Sequence, residues 1–261
     1  MKSIVFLPAI FLLFFLQPAL FKIFKSSEPA GSEMLVTTPA ATSFYFKANG
    51  VDPVWSLTIS NMQIEFKTQA SGFLPYTAPH VEPVRAMDSN VKVYKVQSDM
   101  GEMEVEITKV LCQNENSHER FPYGVTVSLK EGKDTTFTYF TGCGLYITDA
   151  NLEHTWTLDQ IKTDTVNAKQ FNDTLPFIEL HANGNSLSGY GGCNTIKGRI
   201  FSERNLLRFT DLVLSKRTCD PANREKDFIS ALKFSTQYVI EGDRLILSNP
   251  SGQTLVFKKS M

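Results

Sequence analysis

The chain lacks an excess of charge of either sign: 26 lysines and arginines stand against 27 aspartates and glutamates in 261 residues. That balance argues against nucleic acid as a partner, because nucleic-acid binding needs a basic face. Histidine is scarce at 4, and His80, His118, His154 and His181 are scattered, none at ligand spacing to another. The 4 cysteines include no closely spaced Cys-x2-Cys pair, which excludes the standard zinc patterns. Lys197 follows a cluster of glycines, but the G-x-x-x-x-G-K-[ST] spacing of a phosphate loop is missing. No repeat of solenoid period is visible. What the chain has in quantity is phenylalanine, 20 residues, with recurring valine and threonine, a composition that leans toward strands.

The N-terminus is the long apolar run. Lys2 supplies a positive start, and residues from Ile4 to Phe21 are apolar apart from Gln17 and the prolines. The pattern is that of export or membrane anchoring over residues 1–25. Both a cleaved signal peptide and an uncleaved signal-anchor fit, and the segment holds no cysteine for a lipid anchor. Residues 26–43, rich in Ser, Glu, Pro, Ala and Thr, read as a linker.

From Phe44 onward alternation dominates. Trp55, Leu57 and Ile59 alternate with serines and a threonine, and after Ser60-Asn61 the apolar residues Met62, Ile64 and Phe66 alternate again, which predicts a hairpin. Met103, Val105 and Ile107 oppose Glu102, Glu104 and Glu106, a half-buried strand with a solvated acidic face. Tyr123, Val125, Val127 and Leu129 lead through a turn at 131–134 to Phe137 and Tyr139. The elements restart near Asn151 with Trp156, Leu158 and Ile161, followed by a polar stretch at 162–174. Strands flank an Asn183-Gly184 turn. One helix is expected, with Asp220 as N-cap, Pro221 at its first position, and Phe228, Ile229 and Leu232 on one face. The expectation is an all-β chain: two tandem small antiparallel β-barrel-like domains, at 44–149 and 150–261, the second with one short helix, after an N-terminal hydrophobic segment.

An even number of cysteines in an exported chain reads as disulfides. Cys112, Cys143, Cys193 and Cys219 allow three pairings. Pairing within each half is favoured because each domain should fold as a unit, and each such bridge would contribute about 3.5 kcal/mol. A metal site from Cys112 with His118, or Cys143 with His154, matches no standard zinc spacing. A nucleophilic Cys193 with His181 as base would need a reduced thiolate, which an oxidising compartment and a partner at Cys219 oppose. Trp55 and Trp156 read as core residues of strands.

The second half resembles the META/HslJ-like family. The resemblance rests on Trp156 and Leu158, on the stretch "LSGYGGCNTIKG" with Gly189, Gly191, Gly192, Cys193 and Asn194, and on Thr218-Cys219 about 25 residues later. It continues through the short helix, "GDRLIL" and "LVF". It implies a small antiparallel β-barrel-like domain with a short helix, an association with the envelope of Gram-negative bacteria, and heat-shock or antibiotic-tolerance phenotypes. It implies no enzymatic activity. The first half is similar to a second extracytoplasmic domain sometimes fused to META domains, through "FKANGVDPVWSLTI" and Gly142-Cys143. That family more often has G-N-E-P-F-W where this chain has Gly50 to Trp55. The resulting expectation is a non-catalytic, extracytoplasmic envelope protein without cofactor or metal. It would support stress or antibiotic tolerance through contacts with another envelope protein, with membrane association through its N-terminal segment. The alternative is a β-barrel module that binds a small apolar ligand.

Overall fold

Alternation decides most of this architecture, because successive side chains of a strand point to opposite faces. The computed structural model describes residues 44–85, 90–114, 116–132 and 135–260. The expectations for 1–25 and 26–43, and for Lys133 and Asp134 of the turn at 131–134, lie outside the described residues. Among the described residues no helix is long and apolar enough to cross a membrane.

The first half contains β1 (Phe44–Val51), β2 (Val54–Ser60), β3 (Gln63–Thr68), β4 (Tyr76–Pro79), β5 (Val84–Arg85), β6 (Val91–Ser98), β7 (Gly101–Thr108), β8 (Cys112–Gln113), β9 (Arg120–Phe121), β10 (Tyr123–Glu131) and β11 (Thr138–Tyr146). An antiparallel sheet runs β4-β3-β2-β1-β11-β10-β7-β6-β5, and β8 pairs with β9 beside it. The sheet curls. Tyr76 and Ala78 of β4 enter the same core as Tyr94 and Val96 of β6, together with Phe46, Trp55, Leu57 and Phe66. The Tyr76 hydroxyl donates to the Gly101 carbonyl at 2.9 Å, fixing one end of the curl onto β7. Met103, Val105 and Ile107 are buried, and the opposing glutamates lie toward solvent, where Glu104 pairs with Lys95 and Glu102 with Lys130.

Two details differ from the reading of the sequence. Met62 does not share the buried face of Ile64 and Phe66; it is 73% exposed. The Ser60 hydroxyl accepts from the backbone N–H groups of Met62 and Gln63, and this serine turn holds Met62 at its tip. Tyr139 faces outward at 66% exposure, because the register sets it opposite Ser128 while Phe140 opposes Val127 and fills the core.

The second half begins with a 3₁₀ turn at Ala150–Leu152. It continues with β12 (Thr155–Ile161), β13 (Asp164–Thr165), β14 (Phe177–His181), β15 (Ser186–Tyr190), β16 (Thr195–Glu203), β17 (Leu206–Leu214), the helix α1 (Glu225–Phe234), β18 (Gln237–Glu241), β19 (Arg244–Asn249) and β20 (Gly252–Lys259). Here the ladder closes. β12 pairs with β14 on one side and with β20 on the other, so the antiparallel meander returns on itself as a ring, with β13 appended to β12. A ring of this size has an interior just wide enough for side chains to fill. Trp156, Leu158, Ile178, Leu187, Leu245 and Phe257 fill it, and α1 lays Phe228, Ile229 and Leu232 onto the same core.

The helix starts later than its sequence signals imply. Asp220 and Pro221 form a separate turn, in which the Asp220 carboxylate accepts from the Ala222 N–H at 2.7 Å. Arg224 is the N-cap, without a side-chain cap, and Asn223 Oδ1 instead accepts from the Glu225 N–H. The polar stretch at 162–174 also holds a 3₁₀ turn, Ala168–Phe171, whose Phe171 is fully buried. The described residues are thus all-β with one short α-helix, as two tandem antiparallel units that fall within one compact unit of the chain.

Candidate functional site

The densest polar network surrounds the glycine-rich stretch after Asn185. β15 carries Ser186 to Tyr190, and Gly189 pairs across to Ile178 and Ile196. The chain then leaves the sheet. Cys193 is bonded to Cys219, with Cα atoms 5.9 Å apart. Glu225, the first residue of α1, is buried and reaches back to this loop. Its Oε1 accepts from the N–H groups of Cys193 at 3.2 Å and Asn194 at 2.6 Å, and its Oε2 accepts from Asn194 Nδ2 at 2.7 Å. Asn194 Oδ1 accepts in turn from the Ser215 hydroxyl and the Arg217 N–H. A carboxylate that accepts three hydrogen bonds offsets much of the cost of its burial.

Two glycines make room for this network. A Cβ on Gly191 would lie 2.5 Å from Glu225 Oε1. Gly192 has φ +112°, and a Cβ there would meet the ring of Phe171 at 2.5 Å. Thr218 is exposed. Cys193, Cys219 and Glu225 converge closely enough to resemble a ligand set. The two sulfurs are joined to each other, however, and metal binding takes deprotonated thiols. The arrangement therefore pins a strand end to the segment that leads into the helix.

The first half has its own bridge, Cys112 to Cys143, with Cα atoms 5.5 Å apart, which ties the β8–β9 hairpin to β11. Trp55 and Trp156 are both buried, and each indole N–H finds a backbone carbonyl: Thr141 at 3.1 Å and Leu152 at 2.9 Å.

The second polar cluster lies where the two halves meet. Phe201 and Glu203 stand on the opposite parity of β16 from Ile196 and Ile200, hence on the outside of the ring. They are covered by the first half. Glu203 Oε2 lies 2.5 Å from Lys92 Nζ and 3.7 Å from Arg85. Lys92 also donates to the Tyr146 hydroxyl at 2.7 Å and sits 4.7 Å from the centre of that ring. The Phe201 ring meets Tyr146 edge to face at 5.1 Å. Arg204 pairs with Glu82, and the Thr148 hydroxyl donates to Asn185 Oδ1 at 2.5 Å.

Behind the pair, the Tyr45 hydroxyl lies 2.8 Å from His80 Nε2 and 3.3 Å from the Tyr94 hydroxyl. Burial, reinforced by the nearby Glu203 charge, holds Tyr146 protonated far above the ordinary phenol range. Burial and then Tyr94 do the same for Tyr45, and burial pushes Tyr94 up to about 12. Burial lowers Lys92 despite the pull of Glu203. Tyrosines held protonated in this way act as neutral hydrogen-bonding groups and packing surfaces rather than as bases. Two cavities open along the junction. One of about 380 Å³ is lined by Tyr45, Glu82, Arg204 and Gln237, and one of about 490 Å³ by Lys92, Tyr146, Phe201 and Arg208.

Reading the sequence alone missed the junction and Glu225. Lys92 shares strand parity with the buried Tyr94 and Val96, so its inward direction was available as a signal. Phe201 beside Glu203 on an outward face was a second signal.

Residues 149–261 match the model of the META domain family. Two solved structures are similar over part of the chain. One is an NMR structure of a protein from Burkholderia xenovorans, 21% identical, covering 44% of this chain and 90% of its own, with a TM-score of 0.36. The other is a crystal structure of a DUF4847 family protein from Bacteroides vulgatus, 13% identical, covering 42% of this chain and 94% of its own, with a TM-score of 0.32. No curated protein matches the chain. The residues that match the META domain model include the closed ring, its helix and its glycine-cysteine-asparagine loop.

Proposed function

We propose that this is a non-catalytic protein of the bacterial envelope, facing an oxidising extracytoplasmic compartment, and that it works by contact at the junction between its halves. The observation that carries the reading is the placement of its polar groups. The interiors of both sheets are occupied by side chains such as Phe46, Trp55, Trp156 and Phe257, whereas Glu203, Lys92 and Arg85 meet between the halves beside two cavities of about 380 and 490 Å³. The two disulfides support an oxidising compartment. The filled interiors favour contact at the junction over an apolar ligand held inside a barrel.

In this reading, loss of the protein sensitises cells to heat or to an envelope-directed antibiotic. The test is complementation of a deletion strain with wild-type protein and with Glu203→Ala, alongside fractionation and thiol labelling. Extracytoplasmic protein with blocked thiols, and rescue by wild type only, support the reading. Cytoplasmic protein with free thiols contradicts it. So does turnover of an ester, peptide or glycan that a single point mutation abolishes.

A further inference from the structure

The larger cavity at the junction is charged in one direction. Arg85, Lys92, Lys109 and Arg208 line it, and Glu203 is the one carboxylate among the described residues that do so. That carboxylate is already engaged by Lys92 at 2.5 Å, with Arg85 at 3.7 Å. Lys109 and Arg208 are exposed and stand at the rim. Burial lowers the affinity of Lys92 for a proton; Glu203 opposes this, and the Arg85 and Arg208 charges add to it more weakly.

The floor is apolar. Ile107, Tyr123, Tyr146, Phe201 and Leu206 contribute to it, and Tyr146 packs edge to face on both Tyr123 and Phe201 at 5.1 Å. A volume of about 490 Å³ falls in the range of small-molecule sites, about 300–1,000 Å³. An apolar floor beneath a rim of arginine and lysine fits a molecule with an apolar body and an anionic end, since arginine recognises phosphate and carboxylate by paired hydrogen bonds.

We infer that this cleft between the two halves binds a small amphiphilic anion: a single apolar chain ending in a phosphate or carboxylate. The chain lies over Tyr146 and Phe201, and the head is met by Arg208 and Lys109, with Arg85 free to turn from Glu203 toward it. This goes beyond the contact reading above and stands without it.

Calorimetric titration of the whole chain tests it with decyl phosphate kept below its micelle concentration, with decanoate, with decanol and with inorganic phosphate. Saturable single-site binding of decyl phosphate or decanoate, with decanol and inorganic phosphate each at least about tenfold weaker, is the expected result. The two heads then separate a phosphate preference from a carboxylate preference. Arg208→Gln combined with Lys109→Gln should weaken binding about tenfold while leaving thermal unfolding unchanged, because both side chains are exposed. Arg208→Lys, which keeps the charge but loses the paired hydrogen bonds, should retain only part of the affinity. Equal binding of decanol, equal binding of inorganic phosphate, heat only above the micelle concentration, or no binding of any probe would each overturn the inference.

Discussion

The two halves fill a concave sheet in different ways. The C-terminal ladder closes between β12 and β20, and its core is sealed by hydrogen bonds around the ring. Among the described residues the N-terminal ladder does not close; Tyr76 and Tyr94 bring its ends together through side chains, and β5 is an edge of two residues. The bridges differ in the same sense. Cys193–Cys219 is backed by a buried carboxylate accepting three hydrogen bonds, whereas Cys112–Cys143 ties a short hairpin to the sheet. Even the N-terminal core is completed from outside, since Phe201 of the second half packs against it. A closed ladder needs pinning at one exit, while a curled open sheet depends on its neighbour.

Removing the bridges gives the largest test of that difference. Their sequence separations, 31 and 26 residues, are nearly equal. Loop entropy alone therefore gives the same loss, about 3.5 kcal/mol, for either cysteine pair changed to serine. Urea unfolding should show a greater loss for Cys193→Ser with Cys219→Ser, the excess belonging to the disturbed Glu225 network. Equal losses would erase the distinction between the bridges.

Glu225→Ala isolates that network without touching a disulfide. It strands three donors of Cys193 and Asn194, and the expected cost is about 3 kcal/mol. Glu225→Gln, which keeps one acceptor oxygen, should recover part of it. A loss as small as that of a surface substitution would show that water replaces the carboxylate.

Alkaline stability should separate the halves next. Burial raises Tyr45, Tyr94, Tyr123 and Tyr146 in the first half, and Tyr238 in the second. Unfolded tyrosines lose their protons near pH 10 while the folded ones keep theirs, so this contribution is intact below about pH 10 and is lost as pH rises above it. Each buried tyrosine costs about 1.4 kcal/mol per pH unit in that range. Tyrosinate absorbance should appear together with unfolding, and Tyr146→Phe should reduce the pH dependence more than an exposed Tyr139→Phe.

The smallest expected effect is at the acid side. Burial, then Arg204, lowers the affinity of His80 for a proton. The unfolded chain therefore takes up that proton first, and stability falls as pH drops below about 6.5 until the folded histidine is protonated too. Partial exposure screens the effect to under about 1 kcal/mol. His80→Gln should flatten this part of the urea-midpoint profile.

Much of this fold was legible because period-two alternation reports a half-buried strand directly. Trp55, Leu57 and Ile59, or Met103, Val105 and Ile107, show their buried face in the sequence itself. Closure was not legible: nothing local in Leu158 or Phe257 says that β12 and β20 are neighbours. Asp220-Pro221 misplaced the helix start because the same residues that cap helices also make turns. The glycine-rich stretch could be read as a bent strand end, but the carboxylate that holds it lies 31 residues from Asn194. The junction was hidden for a similar reason, since Lys92 and Glu203 are separated by 111 residues.

The junction is a built contact and not an incidental meeting of two units, through Lys92, Glu203, Tyr146 and Phe201. A double-mutant cycle on Lys92→Ala and Glu203→Ala, read by urea unfolding, tests it most directly. A coupling of about 1–2 kcal/mol is expected, as for partly buried partners in one network. Additive effects of the two substitutions, with no coupling, would contradict it.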